Sequence, residues 1–314
     1  MTIRCGVVMD PIADIHFEKD TTLALLLEAQ QRGWEIYYMT AQDVYYQDGA
    51  VLARCQQLEV ALDPQRWYRS MATQTLNLNT LNIVLMRKDP PFDMQYIYLT
   101  YLLDILETQG VLVVNKPQSL RDYNEKMATC WFPQCCPPTL VSRDQQLLRV
   151  FWQKHQDVIF KPLDGMGGRG VFRVQRNDVN INVILETLIG VPESYIMAQK
   201  FIPEITAGDK RILLVDGQPI PYGLARIPAP GDSRGNLAAG ATGVGVELTA
   251  RDQWICQQVG PTLRAKGLYF VGLDVIGDYL TEINITSPTC VREIDAAFQI
   301  NISKILLDAL AAKL

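Results

Sequence analysis

Two groups of residues have types and spacing suited to chemistry. Lys161 closes the apolar run Val158-Ile-Phe-Lys161, and glycines follow at Gly165, Gly167, Gly168 and Gly170. Glycine tolerates positive φ and lets backbone N–H groups approach a ligand. Successive N–H groups of this kind form an anion-binding nest, and an ammonium at the strand end can reach a phosphate. The second group is Asp274, Glu282 and Asn284, polar positions in the otherwise apolar stretch 269–285. Three oxygen ligands on one face suit a hard cation such as Mg²⁺, which also takes phosphate oxygens. Beside a phosphate loop the cation reading becomes stronger, because such an ion also takes phosphate oxygens. Each alone has a plainer reading: a ligand-free glycine hairpin for the first, a solvent-facing strand side for the second.

The elements that position these groups can be read locally. Val171, Phe172 and Val174 make a strand after the glycines, so the loop joins two strands. Gly165, Gly167 and Gly170 also fit G-x-G-x-x-G, but that fingerprint needs a helix directly after the last glycine. No Gly-Lys-Ser/Thr closes the loop either, which excludes a Walker A motif. The cation group lies on a hairpin turning near Gly277-Asp278. Glu282 and Asn284 are two apart and share a face. Asp274 joins them only opposite Glu282, which calls for an odd-numbered loop such as 277–279. A two-residue loop would set it opposite Thr281, on the other face.

Around these groups the chain divides in order. Residues 3–9, 35–39, 83–86 and 111–115 read as strands, and 21–32 and 94–109 as helices, with Asp20 or Thr21 as the first N-cap. Residues 51–62 read as edge strands. This is a doubly wound α/β domain over residues 1–123. Arg87-Lys88-Asp89-Pro90-Pro91 ends a strand where a ligand crevice is well placed, though a solvated loop fits as well. A helix carrying Lys126 is expected next, then a helix over 145–155 capped by Asp144, the glycine hairpin, a helix over 183–188 and a strand over 195–202. These make a small α+β lobe over 124–202. The lobe over 203–314 begins with a hairpin turning at Asp216-Gly217, with Arg211 and Arg226 on its strands. Residues 229–245 hold five glycines, Arg234 and Asn236, and read as an irregular lid. A helix over 249–266 precedes the cation hairpin.

Composition excludes several classes. The chain has 314 residues, 48% hydrophobic and 20% charged, with a net charge of −5. Nucleic acid is therefore an improbable partner. No apolar run approaches the roughly 20 residues of a membrane helix, and the N-terminus reads as a strand, so a cytoplasmic location is expected. Seven cysteines without C-x-x-C read as reduced buried thiols, not a zinc site. His16 and His155 lie in no nucleophilic context, which leaves Lys, Arg, carboxylates and metal to run the chemistry.

The whole chain resembles the bacterial glutathione synthetase family of the ATP-grasp superfamily. The resemblance rests on Val7-Val-Met-Asp-Pro-Ile-Ala13, Met86-Arg-Lys-Asp-Pro-Pro-Phe-Asp93, Asn115-Lys-Pro-Gln-Ser-Leu-Arg-Asp122, Lys161-Pro-Leu-Asp-Gly-Met-Gly-Gly168, Arg234-Gly-Asn-Leu-Ala-Ala-Gly240 and Thr281-Glu-Ile-Asn-Ile-Thr-Ser-Pro-Thr289. Arg169-Gly170 departs from the small pair usual in the loop, and Cys135-Cys136 has no counterpart in the pattern.

The resemblance implies an N-terminal Rossmann-like pre-ATP-grasp domain followed by a two-lobed ATP-grasp domain. It implies ligation of γ-glutamylcysteine to glycine by ATP and Mg²⁺ or Mn²⁺, through an acyl phosphate. By resemblance, Lys126 and Lys161 grip ATP phosphates, with the backbone of Gly165, Gly167 and Gly168 capping them. Gln199, Lys200, Phe201 and Ile202 meet adenine. Asp274, Glu282 and Asn284 hold the metal. Arg211 and Arg226 stabilise the transferring phosphoryl group, and Arg234 and Asn236 ride the lid. Arg292, beyond Ser287 and Thr289, is expected to take a substrate carboxylate. A homo-oligomer, tetrameric by resemblance, is also implied. Another ATP-grasp carboxylate–amine ligase, or a non-catalytic ATP-binding regulatory module, remains open as an alternative.

Overall fold

A computed structural model describes residues 2–314 except 191–192, 232–234, 236 and 238–239. It contains three sheets. The first is built from β1 (Arg4–Met9), β2 (Glu35–Met39), β3 (Val44–Gln47), β4 (Ala50–Val60), β5 (Tyr68–Ser70), β6 (Gln74–Asn77), β7 (Ile83–Arg87) and β8 (Leu112–Val114). Strands β2-β1-β7-β8 run parallel. Both faces of β1 are covered. Cys5, Val7 and Met9 pack with Leu23 and Leu26 of α1 (Thr21–Gln31), while Val8 packs with Leu99 and Leu103 of α2 (Met94–Thr108). Helix α1 starts at Asp20, whose carboxylate accepts from Leu23 N, which satisfies one of the orphan donors at a helix start.

Residues 51–62 differ from expectation. They do not form short edge strands. They belong to the eleven-residue β4, which pairs antiparallel with β2, β3, β5 and β6. Val51, Ala53, Cys55, Leu58 and Val60 are buried, and the alternation slips by one residue at Gln56-Gln57. A shift of one residue exchanges the faces, so each half of the strand serves a different core.

After α3 (Pro117–Asp122), the second sheet has the order β11-β10-β12-β9, from β9 (Thr139–Ser142), β10 (Asp157–Pro162), β11 (Phe172–Gln175) and β12 (Ile196–Lys200). Helices α4 (Gln145–His155) and α5 (Ile181–Ile189) cover it. Its core of Leu148, Val158, Phe160, Val174, Leu185, Ile196 and Ala198 is separate from the other two core clusters.

The third sheet has the order β15-β14-β13-β16-β17, from β13 (Asp209–Val215), β14 (Gln218–Ile227), β15 (Thr242–Glu247), β16 (Phe270–Ile276) and β17 (Tyr279–Asn284). Strand β15 is a correction. Residues 242–245, expected in an irregular loop, pair with β14 despite Gly243 and Gly245. Gly245 lies where a Cβ would meet Ala297 and Phe298 within 3 Å, so close packing requires the missing side chain. Helix α6 (Ala250–Ala265) packs on the same sheet, and α7 (Val291–Phe298) and α8 (Ile302–Ala311) return to α1.

This third sheet shares both large cores with the N-terminal sheet. Asn115 stitches the two. Its side chain donates to Phe270 O and Ile285 O, both at 2.7 Å, and accepts from Phe270 N at 2.9 Å. The first and third sheets thus form one continuous body, and the 139–200 lobe stands beside it with its own core. No helix among the described residues is long and apolar enough to cross a membrane.

Candidate active site

A cleft of about 340 Å³ opens between the second and third sheets, with Asp89 and Pro90 of the N-terminal domain at its rim. Lys161 reaches it from the end of β10. Its ammonium is buried, 3.3 Å from Thr281 O and 3.9 Å from Glu282 Oε1. Burial pushes its pKa down, and Glu282 opposes that shift. Lys126 does not sit within a helix, as expected, but at the start of a 3-10 turn over Met127–Trp131. Asn124 Oδ1 accepts from the N–H groups of Lys126 and Met127 and holds that turn. Lys126 Nζ donates to Gly165 O at 2.6 Å and lies 3.6 Å from Glu282. Two ammonium groups therefore converge where the glycine loop begins.

The loop itself needs its glycines. Gly167, Gly168 and Gly170 have φ between +63° and +76°, a region that side chains resist. Gly165 has an ordinary φ, but a Cβ there would sit 2.8 Å from Pro162. Gln199, Lys200, Phe201 and Ile202 also line the cleft, with Ile205 and Ile276.

Asp274 and Glu282 do face each other, by a route the hairpin reading missed. The turn has two residues, with Ile276 paired to Tyr279. A bulge then shifts the register, Thr281 becomes the extra residue, and Asp274 pairs with Glu282. One inserted residue reverses the facing set by the turn. Asn284 pairs with Gly272, so all three oxygen donors line the cleft.

Beneath them lies a buried ion network. Arg211 Nε meets Asp274 Oδ1 at 2.6 Å. Arg226 bridges Asp274 Oδ2 at 2.9 Å and Asp209 Oδ2 at 2.6 Å. Burial opposes the charge on Asp274, but the two guanidiniums outweigh it and hold the carboxyl well below its usual range. Asp209, paired with Arg226 among the described residues, is pushed up to about 7 by burial. Its Oδ1 is buried without a partner.

Sequence reasoning missed Asp209 and Glu125, which both line the cleft. Glu125 accepts from Thr286 Oγ1 at 3.0 Å, and burial followed by repulsion from Glu282 raises its pKa. Its only signal was adjacency to Lys126. Ser287 and Thr289 line the cleft as well. Arg292 does not. Its guanidinium donates to Phe17 O and lies 5.1 Å from the Phe17 ring centroid. Helix α7 begins at the fully buried Val291. The next side chain, about 100° further round, is thereby sent to the N-terminal loop. Arg234 and Asn236 lie outside the described residues.

The model of the prokaryotic glutathione synthetase N-terminal domain matches residues 3–121, and that of the family's ATP-grasp domain matches residues 125–299. The chain belongs to the prokaryotic glutathione synthetase family. The glutathione synthetase of Pseudomonas putida is 59% identical over 314 residues, covering 100% of this chain and 99% of that protein. The glutathione synthetase of Vibrio vulnificus strain YJ016 is 55% identical, covering 100% and 99%. Among solved structures, D-cycloserine synthetase DcsG has a TM-score of 0.66 at 12% identity, covering 99% of each chain. ATP-grasp ligase PsnB complexed with minimal precursor has a TM-score of 0.64 at 16% identity, covering 99% of this chain and 98% of that one. At such identities these two share the fold alone. The family boundary between residues 121 and 125 falls at Asn124-Glu125-Lys126, where the chain leaves the first sheet and enters the cleft.

Proposed function

We propose that this chain ligates γ-glutamylcysteine to glycine with ATP, giving glutathione, ADP and phosphate. The cleft supports this reading because Lys126, Lys161, the glycine loop, Arg211, Arg226 and the facing Asp274 and Glu282 converge in it. ATP lies with adenine against Gln199, Lys200, Phe201 and Ile202 and its phosphates under Gly165, Gly167 and Gly168. The α-carboxylate of γ-glutamylcysteine's cysteinyl residue attacks the γ-phosphorus. ADP leaves and an acyl phosphate forms. Lys126 and Lys161 neutralise phosphate charge, and Arg211 and Arg226 stabilise the transferring group. The acceptor amine then attacks the acyl carbon and phosphate departs. Arg234 and Asn236 act from the lid, which keeps water from the acyl phosphate. Ser287 and Thr289 contact substrate.

The donor set fits a hard cation. Asn284 Nδ2 donates to Gly272 O at 3.3 Å, which leaves its Oδ1 without a described partner. With Asp274 and Glu282 this makes an all-oxygen set suited to Mg²⁺ or Mn²⁺. When bound, the ion neutralises and aligns the phosphates. A cytoplasmic, homotetrameric enzyme completes the reading. Met94, Tyr98 and Tyr101 give α2 an exposed apolar stripe that an oligomer would cover.

The test is ADP release with ATP and Mg²⁺ over an acceptor matrix: γ-glutamylcysteine alone, glycine alone, both, and other amino acids. Turnover only with both supports the reading. Turnover with a different pair keeps the mechanism and refutes the substrates. ATP binding without turnover on any pair refutes catalysis.

A further inference from the structure

Beside the main cleft lies a narrow side pocket of about 20 Å³. It shares Pro90, Glu125, Gly165, Met166 and Thr286 with the cleft, so the two are adjoining spaces. Phe92, Tyr123 and Leu163 wall its far side. Its volume is a little more than one water-sized group needs. A group the size of an ammonium fits there.

Charge selects the occupant further. Glu125 and Asp164 are the ionisable side chains of the lining among the described residues, apart from the Tyr123 phenol, and no cation lines it. A carboxylate or phosphate would be repelled. Glu125 is also held in place. Its carbonyl accepts from Ile283 N at 2.8 Å, and Thr286 Oγ1 donates to Oε1. Oε2 has no hydrogen-bond partner among the described residues. Behind Phe92, whose ring centroid is 5.0 Å from that of Tyr96, the Tyr96 hydroxyl is buried without a partner. Glu125 acts electrostatically on that hydroxyl as well. The spot therefore holds an oriented carboxylate whose Oε2 is free to accept from a cationic donor.

We propose that this pocket is the subsite for the ammonium group of the acceptor amino acid, with Glu125 Oε2 as its anchor and Thr286 as the residue that orients the anchor. The assignment rests on the ligase reading above. Both substrates of that reaction carry a primary ammonium. The acceptor's is favoured because Gly165 and Met166 of the phosphate loop form one wall, which puts the pocket beside the acyl phosphate that the acceptor must attack. The rest of the acceptor remains in the main cleft.

The experiment is steady-state kinetics of Glu125→Gln with each substrate varied in turn. Losing a charge-assisted hydrogen bond to an ammonium should raise KM for glycine about 10- to 100-fold. KM for γ-glutamylcysteine and for ATP should stay within about twofold. Glu125→Asp should recover part of the loss. Thr286→Val should raise KM for glycine less, in the same direction, and carries the test if Glu125→Gln does not fold. An unchanged KM for glycine overturns the proposal. A rise confined to γ-glutamylcysteine also overturns it and puts the donor's ammonium in the pocket. Equal rises in all three constants overturn it in favour of a structural role. Wild-type enzyme that turns over neither substrate fails at the control, and the functional reading falls before the subsite is at issue.

Discussion

Asp274→Asn is the most exacting perturbation of the buried ion network. In the wild type, Arg211 and Arg226 are balanced by Asp274 and Asp209. Asp274 accepts from Arg211 at 2.6 and 3.3 Å and from Arg226 at 2.9 Å. Asparagine keeps one acceptor oxygen and turns an NH₂ donor toward a guanidinium. Two buried cations then face one carboxylate. Removing one partner of a buried pair costs about 3–5 kcal/mol. For 314 residues, an unfolding entropy of about 2.1 cal/mol/K per residue gives about 0.7 kcal/mol/K, so melting falls by roughly 5–8 °C. A second readout is independent. Asp274 is one of the charges that raise the pKa of Asp209, now about 7. In the variant it should fall, as followed by carboxyl ¹³C shifts in a pH titration. Melting within about 1 °C of wild type, with Asp209 still titrating near 7, would refute the account of a charge-balanced network.

Three further outcomes are expected. Gly260→Ala should cost about 1–3 kcal/mol by overpacking, measured by urea unfolding, because a Cβ there would lie 2.2 Å from Gly217 O. Asp295→Asn should change the pH dependence of stability. Burial raises Asp295 from 3.8 to about 6, so its protonated form favours the fold, and that stability is full below pH 3.8 and lost as pH rises through 6. The asparagine variant should lose this dependence and gain on the order of 1 kcal/mol at pH 7, after allowing for screening of the half-exposed group. Lys161→Met should weaken ATP binding at least tenfold by calorimetry while leaving melting within a few degrees, because burial already disfavours this ammonium without a phosphate.

The parts legible in the sequence were those whose signal is local. A strand ending in lysine before clustered glycines specifies its own geometry, as does Asp20 before an apolar helix. Register was not local. The two-residue turn at Gly277-Asp278 would have separated Asp274 from Glu282, and only the bulge at Thr281 reunites them. Nothing in the letters marks a bulge. Arg292 illustrates the same limit, since closeness along the chain to Ser287 and Thr289 did not survive the start of a helix. Glu125 and Asp209 carry no motif. Their roles come from burial beside charges that are remote in sequence. Strand β4 was misjudged for a related reason, because pairing with four partners is decided by chains that lie on either side of it.

The separate core of the 139–200 lobe has a mechanical consequence. No apolar cluster crosses from that lobe to the rest of the molecule among the described residues. Among the described residues, the ties across the cleft are polar, including Lys161 to Thr281 O and to Glu282, Lys126 to Gly165 O and Asn124 to Leu163 O. With no apolar cluster to break, only these polar ties resist a swing of the lobe as a unit. The two ammonium groups that tie the lobe across the cleft are the ones proposed above to hold a triphosphate. A nucleotide would compete for its own latch, releasing the lobe as it enters and refastening it through its phosphates.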